Sequence, residues 1–364
     1  MDFEFDAEQL ALRDAVRALL TDQYASIDGR RAATAKDPGF DEGTWAKLAE
    51  MGVLGLPFSE EAGGMGAGPA EVAVVAGELG RVCAPDPFVE VVVLAGGLIA
   101  AAGGDVSGIA DGSVIAAFAH DGGEVTAVAS GDGWTLRGSK EPVLNGGRAD
   151  VIVVSAQVDG HPALFQVDGS AVTRTSYATF DGGRASAIAF DAVSATPLGD
   201  PSTDATPLIE QAVALARIAY AHEAVGAMQT SLDLTTEYLR TRKQFGVPLK
   251  TFQALTFRAA DMYVSLELAT SVASWATLVA LDGSDPAQLV DAGRRAKLQA
   301  GQAGRHVSKE SIQLHGGIGM TMEYAVGHYA MRLTAIDHTL GDGRDQLREL
   351  AAQVGDYGVL EPLP

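Results

Sequence analysis

The stretch RTRKQFGVPLKTFQA (240–254) decides how the rest of the chain is read. Three cations, Arg240, Arg242 and Lys243, stand just before an aromatic–glycine–proline step, in a chain of 364 residues with a formal net charge of −21. Helical periodicity leads into this stretch from about residue 206 and resumes after it to about Leu281. Gly246 and Pro248 therefore mark a break between two long helices, and the cations gather at that break. The C-terminal end of a helix is negative, so solvated cations are at home there. Arg240 and Lys243 read equally well as such a helix-end cluster.

Outward from this point the chain separates into three zones. Residues 1–108 are expected to be helical. EQLALRDAVRALL sets Leu12, Val16, Leu19 and Leu20 on one face, and TWAKLAEMGVLGL and PAEVAVVAGELGRV are further amphipathic runs around a glycine-rich EEAGGMGAG loop. VEVVVLAGGLIAAAGG (89–104) is apolar but shorter than the ~20 residues of a bilayer span, and it reads as a buried helix. From 109 to 205 short runs rich in Val, Ala and Thr are punctuated by DGG, GDG, VDGH and FDGGR, which predicts an antiparallel β-domain. From 206 to 364 the helical period returns. Thr206 and Pro207 read as N-cap and first helical residue with Glu210 in the first turn. A second long helix ends near Leu281, and a third runs from Asp285-Pro286 to HGG (315–317).

Composition narrows the function classes. Apolar residues make up 47% and charged residues 20%, as in a folded globular protein. The strong acidity argues against nucleic acid or an anionic membrane as partner. Cys83 is the only cysteine, which excludes an intrachain disulfide and a thiolate cluster and fits a reducing compartment. MDFEFDAEQL is acidic where a secretory signal would be basic, so a soluble, cytoplasmic protein is expected. The seven histidines show no metal-ligand spacing. SIQLH lacks the glycine elbow that would make Ser311 and His315 a nucleophilic pair.

YLRTRKQFGVPLKTFQA (238–254) and QLHGGIGMTMEY (313–324) together resemble the signature segments of the acyl-CoA dehydrogenase family of flavoproteins. WAKLAEMGVLGLPFSEEAGGMG (45–66), GELGR (77–81) and LRGSKEPVLNGGRADVIVVSA (136–156) support the match, which covers essentially the whole chain. The resemblance implies a mainly α fold with a β domain: an N-terminal helical domain, a middle antiparallel β-barrel-like domain and a C-terminal four-helix bundle, assembled as dimers or tetramers. It also implies FAD, an acyl-CoA substrate, and an electron-transfer flavoprotein or similar acceptor. In the family a glutamate takes the α-proton and flavin N5 takes the β-hydride.

By the same resemblance, Arg242 and the following Gln244 and Phe245 reach across a subunit interface to the FAD of a neighbouring chain. The planar fork of an arginine can pair two phosphate oxygens, and Phe245 would shield that pair from water. Gln253 would add a polar contact. Gln313, His315, Gly316 and Gly317 match the segment beside the adenine and ribose, where glycine lets backbone approach a ligand closely. Taken alone, HGG is an ordinary glycine stop for a helix.

The departures carry equal weight. Where the family has TEPxxGSD, near 117–123, this chain has AFAHDGG; where it has a flavin-facing W-(I/V)-(T/S)-N, this chain has Pro142-Val143-Leu144-Asn145. The two places for a catalytic glutamate hold Gly341 and Ala216. Asp342 and Glu223 are the nearest substitute acids, with a helix cap and a polar bundle contact as their ordinary readings. Motifs that reach to a neighbour's FAD are kept, and those that serve the chain's own flavin are lost. That asymmetry points to the non-catalytic subunit of a heteromeric member (a heterotetramer with a homologous catalytic subunit), as in some bacterial enzymes for bulky acyl-CoA esters such as sterol side chains. The alternatives are a homomeric enzyme with a displaced base, a flavin monooxygenase on the same fold, and a non-enzymatic scaffolding relative.

Overall fold

The computed structural model describes residues 6–356 except Ala25 and Asp132, so the first five residues of the acidic start and residues 357–364 lie outside the described residues. Four helices open the chain: α1 (Ala7–Tyr24), α2 (Ile27–Thr34), α3 (Glu42–Glu50) and α4 (Pro69–Arg81). On α1, Val16 and Leu20 are buried and Leu12 and Leu19 partly so, as the periodicity predicts. The apolar 89–104 stretch is a buried helix, wound as a π-helix over Val89–Gly96 and continuing as α5 (Gly97–Ala101). A single turn, α6 (Ser107–Ala110), ends the helical region.

Seven strands follow: β1 (Ala116–Ala119), β2 (Val125–Ser130), β3 (Gly133–Leu144), β4 (Val151–Val158), β5 (His161–Asp168), β6 (Thr173–Ala178) and β7 (Arg184–Leu198). β4 pairs with β2 and β5, β5 with β7, β7 with β3 and β3 with β2, so five strands close a ring. Its interior holds Leu136, Ile152, Val154, Phe165, Ile188 and Phe190. The expectation of an antiparallel domain needs correcting at one edge. β1 runs parallel to β4, and β2 touches β4 in the same sense through Thr126 and Gln157. The chain reverses into β3 and reverses again into β4, so β1, β2 and β4 share one direction.

The C-terminal part is a bundle of α7 (Thr206–Thr241), α8 (Gln253–Asp282), α9 (Pro286–His315) and α10 (Ala325–His338), with α11 (Gly343–Ala352) against α9. A second correction concerns the start of α7. Ala205 precedes the helix and Thr206 lies inside it, because the Asp204 carboxylate reaches two residues on to accept from the Thr206 N–H at 2.8 Å. Glu210 falls beyond the first turn.

Two packing features bear on the site. GELGR is a backbone-to-backbone crossing of α4 and α7: a Cβ on Gly80 would fall 1.9 Å from the Glu223 carbonyl oxygen, and one on Gly226 would fall 2.0 Å from that of Gly77. The second is the outer face of α8. Ala259, Met262, Leu266, Ala269 and Ala273 pack inward, while Phe257, Val264, Leu268 and Trp275 form an uncovered stripe, with Phe257 63% exposed. By length and composition α8 could cross a bilayer, the one such helix among the described residues, yet its inner face is packed against α9 and α7 as a bundle helix.

Candidate functional site

α7 ends where Arg242 turns to extended backbone, and the chain folds into a two-residue hairpin of β8 (Lys243–Gln244) and β9 (Val247–Pro248). The Leu249 N–H closes it on the Arg242 carbonyl at 2.9 Å. Both tip residues are left-handed, Phe245 at φ 52° and Gly246 at φ 81°, the twist that a two-residue hairpin needs. Glycine takes that conformation freely; a phenylalanine does so rarely. Phe245 is also 91% exposed, its ring edge-on to Phe252 at 6.2 Å. Arg240, Arg242, Lys243 and Gln244 are all exposed, and the three cations form no ion pair among the described residues. Gln253 stands exposed at the start of α8.

The end of α9 meets the end of α7 through aromatic rings. His315 lies between Tyr238, at 4.5 Å, and Tyr324, at 4.8 Å, and its Nδ1–H donates to the Ser311 carbonyl at 2.8 Å. The His315 ring is buried and anchors the two helix ends. Gly316 and Gly317 beside it are exposed, and a Cβ on either would meet nothing within 4 Å, so bare backbone faces open space. Gln313 is exposed on the last turn of α9. Sequence reasoning missed Tyr238 and Tyr324, although both stand inside the quoted signature stretches. Their aromatic character one turn from Arg242 and seven residues beyond Gly317 was the available signal.

The segments that depart from the family pattern come together elsewhere. His120 and Asp121, Pro142, Leu144 and Asn145, and Gly341 all border one cavity of about 560 Å³ between the barrel and the helices. Arg332 of α10 stands on its wall. Its Nε donates to Glu223 at 2.6 Å, Nη1 donates to Asp181 at 3.2 Å, and Nη2 lies 3.9 Å from Glu90. Tyr220 donates its hydroxyl to the same Glu90 oxygen at 2.7 Å. Arg30 joins from α2, donating to the carbonyls of Cys83 at 2.8 Å and Asp181 at 2.5 Å. Burial pushes the Glu90 carboxyl up, against the pull of Arg332. Burial works on Asp181 in the same sense, yet Arg332 and the Thr179 hydroxyl hold it below the usual range.

Neither substitute base is placed for proton abstraction. Glu223 is buried and committed to Arg332, so a reacting carbon would compete with a charged hydrogen bond for its oxygens. Asp342 caps α11, accepting from the Arg344 N–H at 2.7 Å and the Asp345 N–H at 3.0 Å. The amides of Asp345 and Arg344 hold its carboxyl below the ordinary value, which makes it a poorer base. Nor is its loop free to shift. Arg217 donates twice to the Leu340 carbonyl, at 3.0 and 2.9 Å, and the buried Lys297 donates to the carbonyls of Asp337 at 2.7 Å and Gly341 at 3.0 Å. Burial lowers the Lys297 ammonium to about 8.

These two places differ in their fitness for FAD. The hairpin and the end of α9 offer unpaired cations and open backbone, which suits the phosphates of a dinucleotide. The cavity does not suit the flavin ring. Reduction gathers negative charge on the ring, which calls for donors. The wall instead presents Glu90, Asp121 and Asp181, and the arginines beside them, Arg30, Arg184 and Arg332, are already spent on carboxylates and carbonyls.

Residues 6–106 match the family model described as the acyl-CoA dehydrogenase N-terminal domain, and residues 206–354 match the acyl-CoA dehydrogenase C-terminal domain. Acyl-CoA dehydrogenase IpdE2 of Mycobacterium tuberculosis is 32% identical, with 95% of this chain and 97% of that protein covered. FadE27 of the same organism is 29% identical, with 93% and 94% covered. Among solved structures, the ChsE4-ChsE5 complex of Mycobacterium tuberculosis superposes with a TM-score of 0.90 at 27% identity, covering 99% of this chain and 100% of that one. A variant of the Tcur3481-Tcur3483 steroid ACAD gives 0.86 at 31% identity, covering 96% and 98%.

Proposed function

The chain belongs to the acyl-CoA dehydrogenase family, and from that premise we propose that it is the non-catalytic subunit of a heteromeric member, an enzyme that introduces an α,β double bond into an acyl-CoA thioester. Its part is to complete the FAD site of a homologous partner. FAD bound there supplies the hydride acceptor. Arg242 grips the pyrophosphate, Phe245 closes over that contact, and Gln244 and Gln253 add polar contacts. The backbone of Gly316 and Gly317, held by His315 against Tyr238, lies along the nucleoside end together with Gln313. The proton is taken by a carboxylate of the partner.

One observation carries this reading. Arg242 stands unpaired and solvent-facing on a hairpin, while Gly341 and Ala216 occupy the two positions where the family resemblance places a base. Relatives whose names join two components, ChsE4-ChsE5 and Tcur3481-Tcur3483, support a two-component assembly. The word steroid in the second name supports a bulky acyl group. A cytoplasmic location and an electron-transfer flavoprotein as acceptor complete the proposal. No observation favours a homomeric enzyme, since Asp342 and Glu223 are both committed elsewhere.

The test is co-production with a homologue that carries an intact TEPxxGSD segment and glutamate. FAD and acyl-CoA oxidation are expected in the complex and in neither property's full measure for this chain alone. Stoichiometric FAD with full oxidation by the isolated chain overturns the reading. So does a complex that never acquires the yellow flavin spectrum, which would leave a scaffolding relative, or one that consumes oxygen with a non-CoA substrate, which would make it a monooxygenase.

A further inference from the structure

The cavity unsuited to flavin is still built like a binding site, and the geometry points to an occupant of its own: an uncharged, largely apolar molecule bearing a hydroxyl group, which donates its hydrogen bond to Glu90. This goes beyond the shared-FAD reading and does not depend on it, because none of the residues involved lies on the hairpin or at the end of α9.

Size comes first. A volume of about 560 Å³ falls within the range of roughly 300–1,000 Å³ that holds small organic molecules. The walls come second. Leu94 of the π-helical segment, Phe118 of β1, Pro142 and Leu144 of β3 and Ala335 of α10 line it, so apolar surface is contributed from several sides of the fold. Phe180 stands 57% exposed at its edge, extending that surface outward.

The polar chemistry selects the functional group. Glu90 is only 9% exposed and borders the cavity. Its Oε1 takes the Tyr220 hydroxyl at 2.7 Å and faces Arg332 at 3.9 Å, and the side chain keeps 11% exposure where it meets the cavity. A ligand that displaces water from this carboxylate leaves it short of a donor unless the ligand brings one of its own. Glu90, Asp121 and Asp181 on the wall are matched by Arg30, Arg184 and Arg332, so the chamber offers an anion no net attraction. None of these arginines is free to turn to one, because the donors of Arg30 and Arg332 already serve Cys83, Asp181 and Glu223, and Arg184 serves Asp37 and the Thr34 carbonyl. A neutral hydroxyl satisfies the acid without adding charge to a mostly apolar chamber.

The full-length chain, freed of flavin, is titrated with 9-phenanthrol by its intrinsic fluorescence, alongside phenanthrene-9-carboxylate and 9-(aminomethyl)phenanthrene. Saturable binding of one 9-phenanthrol per chain is expected, at least tenfold tighter than the carboxylate. Glu90→Met, which keeps volume and removes the acceptor, should erase that preference. Ala335→Phe, which fills the chamber and replaces no member of the ion cluster, should abolish binding while circular dichroism stays unchanged. Absence of saturable binding, equal affinity for the carboxylate, or indifference to Ala335→Phe overturns the inference. Tenfold tighter binding of the amine overturns the assignment of an uncharged ligand.

Discussion

Glu223 and Arg332 are joined at 2.6 Å across α7 and α10, at the level where α4 presses its backbone onto α7. The same guanidinium reaches Asp181 in the β6–β7 connection and faces Glu90 in the π-helical segment. One cation thus ties all three zones of the chain together. Glu223 and Asp181 raise the Arg332 pKa well above its ordinary value although burial opposes the charge, so it remains an ion throughout the working pH range.

Removing that cation leaves buried carboxylates without compensation. Arg332→Leu is expected to cost about 3–5 kcal/mol of folding stability, read as a lower urea midpoint. Glu223→Gln, which keeps a hydrogen-bonding partner, should cost clearly less. Equal stability of Arg332→Leu and the parent chain would show that the cluster is not a structural tie.

The hairpin should behave in the opposite way. Arg242→Ala and Phe245→Ala touch exposed side chains, so stability should stay within about 0.5 kcal/mol. FAD retained by the co-produced complex should fall at least tenfold, by absorbance after gel filtration. Arg242→Lys should restore only part of it, since an ammonium lacks the paired geometry of the guanidinium fork.

Asp86 gives a pH dependence of known sign. Its carboxyl is buried, accepts the Tyr24 hydroxyl at 2.7 Å, and is pushed up from 3.8 to about 7 chiefly by burial. A folded value above the unfolded one means that the native state binds the extra proton. This contribution is fully present below about pH 4 and is lost as the pH rises through 7. The slope from this one group is about 1.4 kcal/mol per pH unit at its steepest, roughly 4 kcal/mol in all. Asp86→Asn should flatten the stability profile between pH 4 and 7 and raise the urea midpoint at pH 8.

Asp342 separates a cap from a base. Asp342→Ala should cost about 1 kcal/mol through loss of the α11 cap, and Asp342→Asn much less. Acyl-CoA oxidation by the assembled enzyme should be unchanged by Asp342→Asn, and its abolition would restore the displaced-base reading.

The helix crossing offers a steric test. Gly80→Ala places a methyl group against the Glu223 carbonyl oxygen, which forces α4 and α7 apart. A loss of about 1–3 kcal/mol is expected by thermal or urea unfolding.

The order of helices, strands and helices was legible because period alone separates them, and the break at Gly246 and Pro248 lies where the motif put it. Strand sense was not legible: side chains alternate with the same period in parallel and antiparallel pairs, so nothing in AAFA or VIVVSAQV announces that β1 and β4 run together. The start of α7 misled because Thr206 before Pro207 looks like a cap, whereas the Asp204 carboxylate takes the Thr206 N–H and Ala205 stands at the cap position. The 89–96 run is buried on all sides and so carries no face whose period could reveal the wider winding. The Arg332 cluster draws on four distant stretches, and each acid looked ordinary in its own surroundings. His315 stands within the quoted motif, while its inward direction depends on Tyr238 and Tyr324 closing around it.

The bare stripe on α8 bears on how a cell can make this protein at all. A row of aromatic and aliphatic side chains left wet along a thirty-residue rod is adhesive. Copies released without whatever shields them are exposed to clumping and to quality-control proteases. Matched synthesis with that shield, more than the chain's intrinsic folding, would then set how much of it accumulates.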